Sequence, residues 1–136
     1  MVILIDTNII IDHFISRQPH MNNAAEILRL CFQKKCQGYI TAHSITNIFY
    51  ILRKEFSVND RKKMLLELCE FMEVAGIQRN QIMNALTNEN FDDLEDCLQS
   101  ECARQIGAEY IITRNITDFT TSSIPAILPE DFLKII

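Results

Sequence analysis

Residues 2–8 read Val-Ile-Leu-Ile-Asp-Thr-Asn. Four consecutive apolar residues with no polar alternation describe a strand covered on both faces, as strands of a parallel sheet are. Asp6-Thr7 breaks the run, and Asn8 to Ser16 carries apolar residues that suit a short helix. A strand that ends on an acid matters because open α/β sheets bind their ligands beyond the carboxyl ends of the strands.

Working outward, the same strand-then-helix unit recurs. Residues 22–36 form a helical pattern, with Ala24, Ile27, Leu28, Cys31 and Phe32 at three-and-four spacing. Gly38 punctuates it, and residues 39–41 form a second short strand. A third helix over 44–55 buries Ile45, Ile48, Phe49 and Leu52. Ser57-Val-Asn-Asp60 has the form of a capping box, opening a fourth helix to Glu73. A weak strand is expected over 74–78, interrupted by Gly76, then a short helix over 80–87. Asp93 to Ile106 forms a clearer helix, stopped by Gly107 in the left-handed conformation. Tyr110-Ile-Ile-Thr113 is another buried strand, and Pro129, Glu130 and Asp131 suit the first turn of a C-terminal helix. This alternation predicts a single domain over residues 1–136, a three-layer α/β fold whose mainly parallel central sheet is flanked by helices.

Composition agrees. The chain has 136 residues, 48% hydrophobic and 23% charged, the balance of a folded globular domain and not of a disordered one. Only three Gly and three Pro argue against a turn-rich β-sandwich. No apolar run exceeds five residues, which excludes a transmembrane helix, and the N-terminus lacks the basic flank of a signal peptide. A cytoplasmic protein with no membrane partner is expected. The five cysteines are odd in number and contain no CxxC pair, so they read as reduced core or near-core thiols. His13, His20 and His43 have no partner at zinc spacing.

The net charge of −5 argues against holding nucleic acid by bulk charge alone. Its distribution is uneven. Seven of the thirteen basic residues lie between 34 and 63, and six of the eighteen acids lie between 89 and 101. Arg53, Lys54 and Arg61 to Lys63 are candidates for a track that holds phosphates.

Four acids point to one edge of the sheet. Asp6 follows strand 2–5 and Asp118 follows strand 110–113. Asp93 and Asp96, at i, i+3 spacing, share a face at the start of the helix that feeds the latter strand. Carboxylates that converge oppose one another's ionisation, so they take up protons or recruit a cation. Oxygen donors without His or thiolate suit Mg²⁺ or Mn²⁺, which can activate water and shield a phosphodiester.

Four segments together resemble the PIN-domain superfamily, and within it the VapC-type toxins. They are Leu4-Ile5-Asp6-Thr7-Asn8, Ile45-Thr46-Asn47, Asp93-Leu94-Glu95-Asp96-Cys97-Leu98-Gln99, and residues 107–115 running on to Asp118-Phe119. The resemblance implies a metal-dependent endoribonuclease of a toxin–antitoxin pair, acting on RNA, with an antitoxin protein as partner and a homodimeric assembly. It implies Asp6, Asp96 and Asp118 as ligands of Mg²⁺ or Mn²⁺, Asp93 as a fourth, outer carboxylate, and Asn8 and Asn115 as residues that position them. Many family members carry a Glu where this chain has Asn47, which leaves open a catalytically weak PIN scaffold that binds RNA or a protein. Glu95 and Asp12 read as solvated acids off the site. A phosphotransfer domain fits poorly, because Asn8 stands where Asp-x-Asp chemistry needs an acid.

Overall fold

In the computed structural model, which describes residues 1–136, the apolar run forms strand β1 (Val2–Ile5) at the centre of a five-stranded sheet. β1 pairs with β2 (Gln37–Thr41) on one side and β4 (Tyr110–Ile112) on the other. Beyond them lie β3 (Glu73–Ala75) and β5 (Ala126–Ile127), giving the order β3-β2-β1-β4-β5 with every pairing parallel. Ile3, Leu4 and Ile5 expose no surface. Their alternation builds two cores. Ile3 and Ile5 pack with Ile9 and Ile10 of α1 (Thr7–Phe14), Ile27 of α2 (Met21–Phe32) and Phe132 of α7 (Pro129–Ile135). Leu4 faces the opposite side, with Ile111, Phe119 and Ala103 of α6 (Leu94–Gln105). Helices therefore cover both faces of the sheet, as the sequence predicts.

The order also places the site. From β1 the chain builds outward to β2 and β3, then returns to the other side of β1 for β4 and β5. The reversal falls between β1 and β4, and such a switch point opens a crevice at the carboxyl ends of the strands. Asp6 stands on one wall of it and Thr113 on the other.

Several element ends differ from the sequence reading, for local reasons. Helix α2 ends at Phe32, not at 36, because Lys34 adopts a left-handed φ of 59°. The Lys34 and Lys35 N–H groups then donate back to Cys31 and Leu30, the six-to-one and five-to-two pattern that closes many helices. Ser16 (φ 54°) closes α1 in the same way, and Gly107 (φ 69°) closes α6. Only the last of the three carries the glycine that announces such a stop. Helix α3 (Ala42–Ile51) starts two residues early, its N-terminus capped by the Thr41 hydroxyl, and passes into a 3₁₀ turn over Leu52–Lys54. Helix α4 (Val58–Cys69) accepts its cap from Ser57 alone; the reciprocal capping box forms instead at α5 (Arg79–Thr87), between Gln78 and Gln81. Cys69, the last residue of α4, is exposed, while the other four thiols are buried as expected. The two-residue β5 was too short to signal itself.

Gly38 is not a break between elements but a residue inside β2. A Cβ there would stand 2.5 Å from Cys31 Sγ and 2.8 Å from Met72 Sδ. The missing side chain thus sets how closely α2 and the residues after α4 approach the sheet. Gly38→Ala is expected to cost at least about 1 kcal/mol, because the long Met72 side chain can turn aside whereas the short, buried Cys31 must shift. A thermal melt lowered by about 3–5 °C would be the readout; an unchanged melting temperature would contradict the packing argument.

Candidate functional site

Asp6 is the first residue past β1 and is 7% exposed. Its backbone N–H donates to Ile112 O at 2.9 Å, so the sheet pairing itself fixes the residue. Its carboxylate is held by three donors. Gln99 Nε2 donates to Oδ1 at 2.6 Å, Thr113 Oγ1 to Oδ2 at 2.7 Å, and Asn8 Nδ2 to Oδ2 at 3.2 Å. Thr113 also accepts from the Asn115 N–H at 3.0 Å, which ties the loop after β4 to the same carboxylate. Burial pushes the Asp6 carboxyl above its ordinary range, the Thr113 and Gln99 hydrogen bonds oppose that, and the charge of Asp118 adds to it.

Gln99 is fully buried on α6 and has no role in the sequence reading beyond its place in a motif. It explains how α6 presents its acids. Asp96 lies three residues before it and Glu95 four, so both share the flank of the helix that Gln99 turns towards Asp6. Asp93 caps the helix instead, its Oδ1 accepting from the Asp96 N–H at 3.0 Å. Across the crevice, Thr7, Thr41 and Ser44 link their hydroxyls at 2.9 and 2.7 Å. This buried knot joins the start of α1 to the start of α3 and brings Asn47, one turn on, to the pocket.

The result is an open cavity of about 460 Å³ lined by Asp6, Asn8, Asn47, Glu95, Asp96 and Asn115, among others. Asp118 sits exposed on a 3₁₀ turn (Ile116–Phe119) anchored by buried Phe119, close enough to act electrostatically on Asp6 and Asp96. Glu95 is therefore not the solvated acid that periodicity suggested: it lines the pocket beside Asn47. Burial raises its carboxyl, as do the charges of Asp6 and Asp93, while the Asn47 and Gln99 amides favour its ionised form.

Asp96 shows the strain most clearly. Burial first, then the charges of Asp93, Asp118, Asp6 and Glu95, push its carboxyl up to about 7 from 3.8. A carboxyl whose folded value lies above its unfolded value lends stability that is fully present below about pH 4 and is lost as the pH rises through 7. Metal-free Asp96→Asn protein should therefore melt above wild type at pH 8, by a margin that shrinks as the pH falls towards 4. Melts in EDTA across that range check this, and a margin independent of pH would contradict it.

The donors suit a hard cation. All are oxygens, and the Oδ1 of Asn8 and Oε1 of Gln99 are buried without a hydrogen-bond partner. As the side chains stand, no three His, Cys, Asp or Glu residues form a ready-made ligand cage. Mg²⁺ does not require such a cage, since it keeps several waters and uses one or two carboxylates.

Two other expectations need correction. Asp12 is not solvated but fully buried, where it meets Arg114 and Arg17. Arg61 does not face solvent to meet phosphates. It is 8% exposed, lies over the Phe49 ring at 4.2 Å and donates to Phe49 O at 2.7 Å, locking α4 onto α3. The Arg53 guanidinium lies over Tyr50 in the same manner, at 3.8 Å.

Comparisons with known proteins identify the family and the fold. The family model for the PIN domain matches residues 2–117. Ribonuclease VapC1 of Aquifex aeolicus (strain VF5) is 26% identical over 97% of this chain and 93% of its own length. A toxin–antitoxin complex from Klebsiella pneumoniae superposes with a TM-score of 0.68 at 24% identity, covering 93% of this chain and 96% of that one. VapBC2 from Rickettsia felis, solved bound to a DNA fragment from its promoter, gives 0.69 at 15% identity, covering 94% and 98%. At such identities the solved structures speak for the shared fold. No helix of this chain is long and apolar enough to cross a membrane.

Proposed function

This chain belongs to the PIN-domain family, and on that premise we propose that it is the toxin of a toxin–antitoxin pair, an endoribonuclease that hydrolyses RNA in the acidic pocket with Mg²⁺ or Mn²⁺. The observation that carries the reading is the carboxylate set at the β1–β4 switch point, whose members raise one another's affinity for protons and so for a cation. The relatedness to a ribonuclease over nearly the whole chain supports the reaction class, and the toxin–antitoxin complexes among the structural relatives support an antitoxin partner.

Asp6 and Asp96 would hold the ion, with Asp118 close by and Glu95 supplying charge from the same flank of α6 as Asp96. Gln99 and Thr113 are positioning residues that keep the Asp6 carboxylate from turning away. Asn8 and Asn115 line the floor beside it, and the unpaired Asn8 carbonyl oxygen is free to accept from a water. A bound divalent cation supplies activation of a water and shielding of the phosphodiester charge. The balance is that of hydrolysis: the water oxygen bonds to phosphorus, one ester P–O bond breaks, and the departing oxygen takes a proton.

Asn47 does not by itself argue for an inert scaffold. The acid missing from α3 is met by Glu95 from α6, whose carboxylate lies within hydrogen-bonding reach of Asn47. Incubating purified protein with a mixed RNA pool, with Mg²⁺ or Mn²⁺ and with EDTA, tests the proposal. Fragments that appear only with metal support it, and intact RNA under both conditions would leave a binding scaffold instead.

A further inference from the structure

An acidic pocket repels the phosphodiester it is meant to cut, so something at its mouth must attract one. Within the basic run between 53 and 63, Arg61 is buried over the Phe49 ring, and none of the exposed members, Arg53, Lys54, Lys62 and Lys63, lines the cavity. One basic residue does line the cavity: Arg17.

Its position is built by the fold. The left-handed Ser16 turns the chain at the end of α1, and the Arg17 N–H donates back to Asp12 O at 3.0 Å. This brings the Arg17 side chain over the buried Asp12 carboxylate. That carboxylate is already satisfied by another residue. Arg114 Nε donates to Oδ2 at 2.6 Å and Arg114 Nη2 to Oδ1 at 3.1 Å, a two-pronged pair. Arg17 adds a single contact, Nη1 to Oδ1 at 3.3 Å, and its side chain is 44% exposed. One carboxylate facing two guanidiniums leaves one positive charge over, and that charge resides on the more exposed Arg17. A guanidinium with spare donors in a planar fork matches a phosphate better than a lysine would.

We propose that Arg17 receives a backbone phosphate of the RNA at the mouth of the acidic pocket, with Asp12 as the positioning residue that aims it and Arg114 as the counter-charge that keeps Asp12 occupied. The inference rests on the ribonuclease reading and deepens it, by naming the contact that holds the polynucleotide backbone against an acidic wall. A contact of this kind carries no sequence information. It should act alike on every RNA sequence.

The test is equilibrium binding of a fluorescently labelled single-stranded oligouridylate, by anisotropy in EDTA so that no cutting intervenes, over a range of salt. Arg17→Gln should weaken binding about tenfold, as loss of a hydrogen bond to a charged group does, and should flatten the salt dependence by about 0.7 in slope, the value for one phosphate on a single strand. Arg17→Lys, which keeps the charge and loses the fork, should keep the slope and recover part of the affinity. Arg17 is at the surface end of the triad, so the melting temperature of both variants should stay near that of wild type. Isothermal titration with Mg²⁺ supplies the opposing outcome. If Arg17 only neutralises the pocket acids, Arg17→Gln will tighten Mg²⁺ binding and leave RNA affinity and slope unchanged, which overturns the inference while wild-type cleavage still stands. Wild-type protein that neither binds nor cuts RNA would remove the proposed function and this inference with it.

Discussion

Asp6→Asn protein is expected to fold as wild type does and to cut RNA at least about 100-fold more slowly, beyond what loss of an outer partner of a metal site usually costs. The substitution is nearly isosteric. The Thr113 hydroxyl can rotate from donating to accepting, and the Gln99 amide can still donate to the remaining oxygen, so of the three bonds to residue 6 only the longest, from Asn8 at 3.2 Å, is lost. Folding should even be eased, because the buried carboxylate is held against its own desolvation. What is lost is one negative charge at the point where the sheet fixes it. Circular dichroism and a thermal melt supply the folding control, and rates on one RNA substrate supply the readout. A folded Asp6→Asn protein that cuts at the wild-type rate would remove Asp6 from the site.

The largest expected loss of stability lies outside the pocket. Arg114→Met removes the two-pronged partner of Asp12, a carboxylate with no exposed surface. Orphaning a buried charge costs about 3–5 kcal/mol, and here the low end applies, since Arg17 at 3.3 Å can close in. About 3 kcal/mol in a domain of this size lowers the melting temperature by about 10 °C. Adding Asp12→Asn to Arg114→Met removes the orphaned charge and should restore much of the loss. A double variant as unstable as the single one would mean that Arg114 acts through packing alone.

The parts of this fold that were legible are those that local chemistry dictates. Val2 to Ile5 read as a central strand because nothing polar interrupts it, and Asp6 marked its end. Asp96 was placed beside Asp6 by helical spacing and by the direction in which α6 runs. Gly107 announced its helix stop, whereas Ser16 and Lys34 make the same turn without a glycine and gave no warning. Glu95 was misread because the helix was phased on Asp93 and Asp96; phased on Gln99, whose amide reaches Asp6, both Glu95 and Asp96 fall on the same flank. Asp12 was misread because its partner Arg114 is 102 residues away. A clue did exist, since Asp12 follows Ile9, Ile10 and Ile11 in a helix buried almost all round, and a charge there must be paired. Arg61 was misread because a run of basic residues looks the same whether its members face solvent or stack on aromatic rings.

The central claim is that the carboxylates of this pocket direct a water, not the RNA's own 2′-hydroxyl, at the phosphodiester. His43 stands behind the pocket acid Glu95, its Nε2 3.9 Å from that carboxylate, and the carboxylates are the groups that face the cavity. Cutting single-stranded RNA with Mg²⁺ in water enriched in heavy oxygen, followed by mass analysis of the new ends, tests this directly. The account predicts one heavy oxygen on each new phosphate end, no cyclic phosphate, and no products in EDTA. Cyclic phosphate ends without heavy oxygen, or cutting that continues in EDTA, would contradict it.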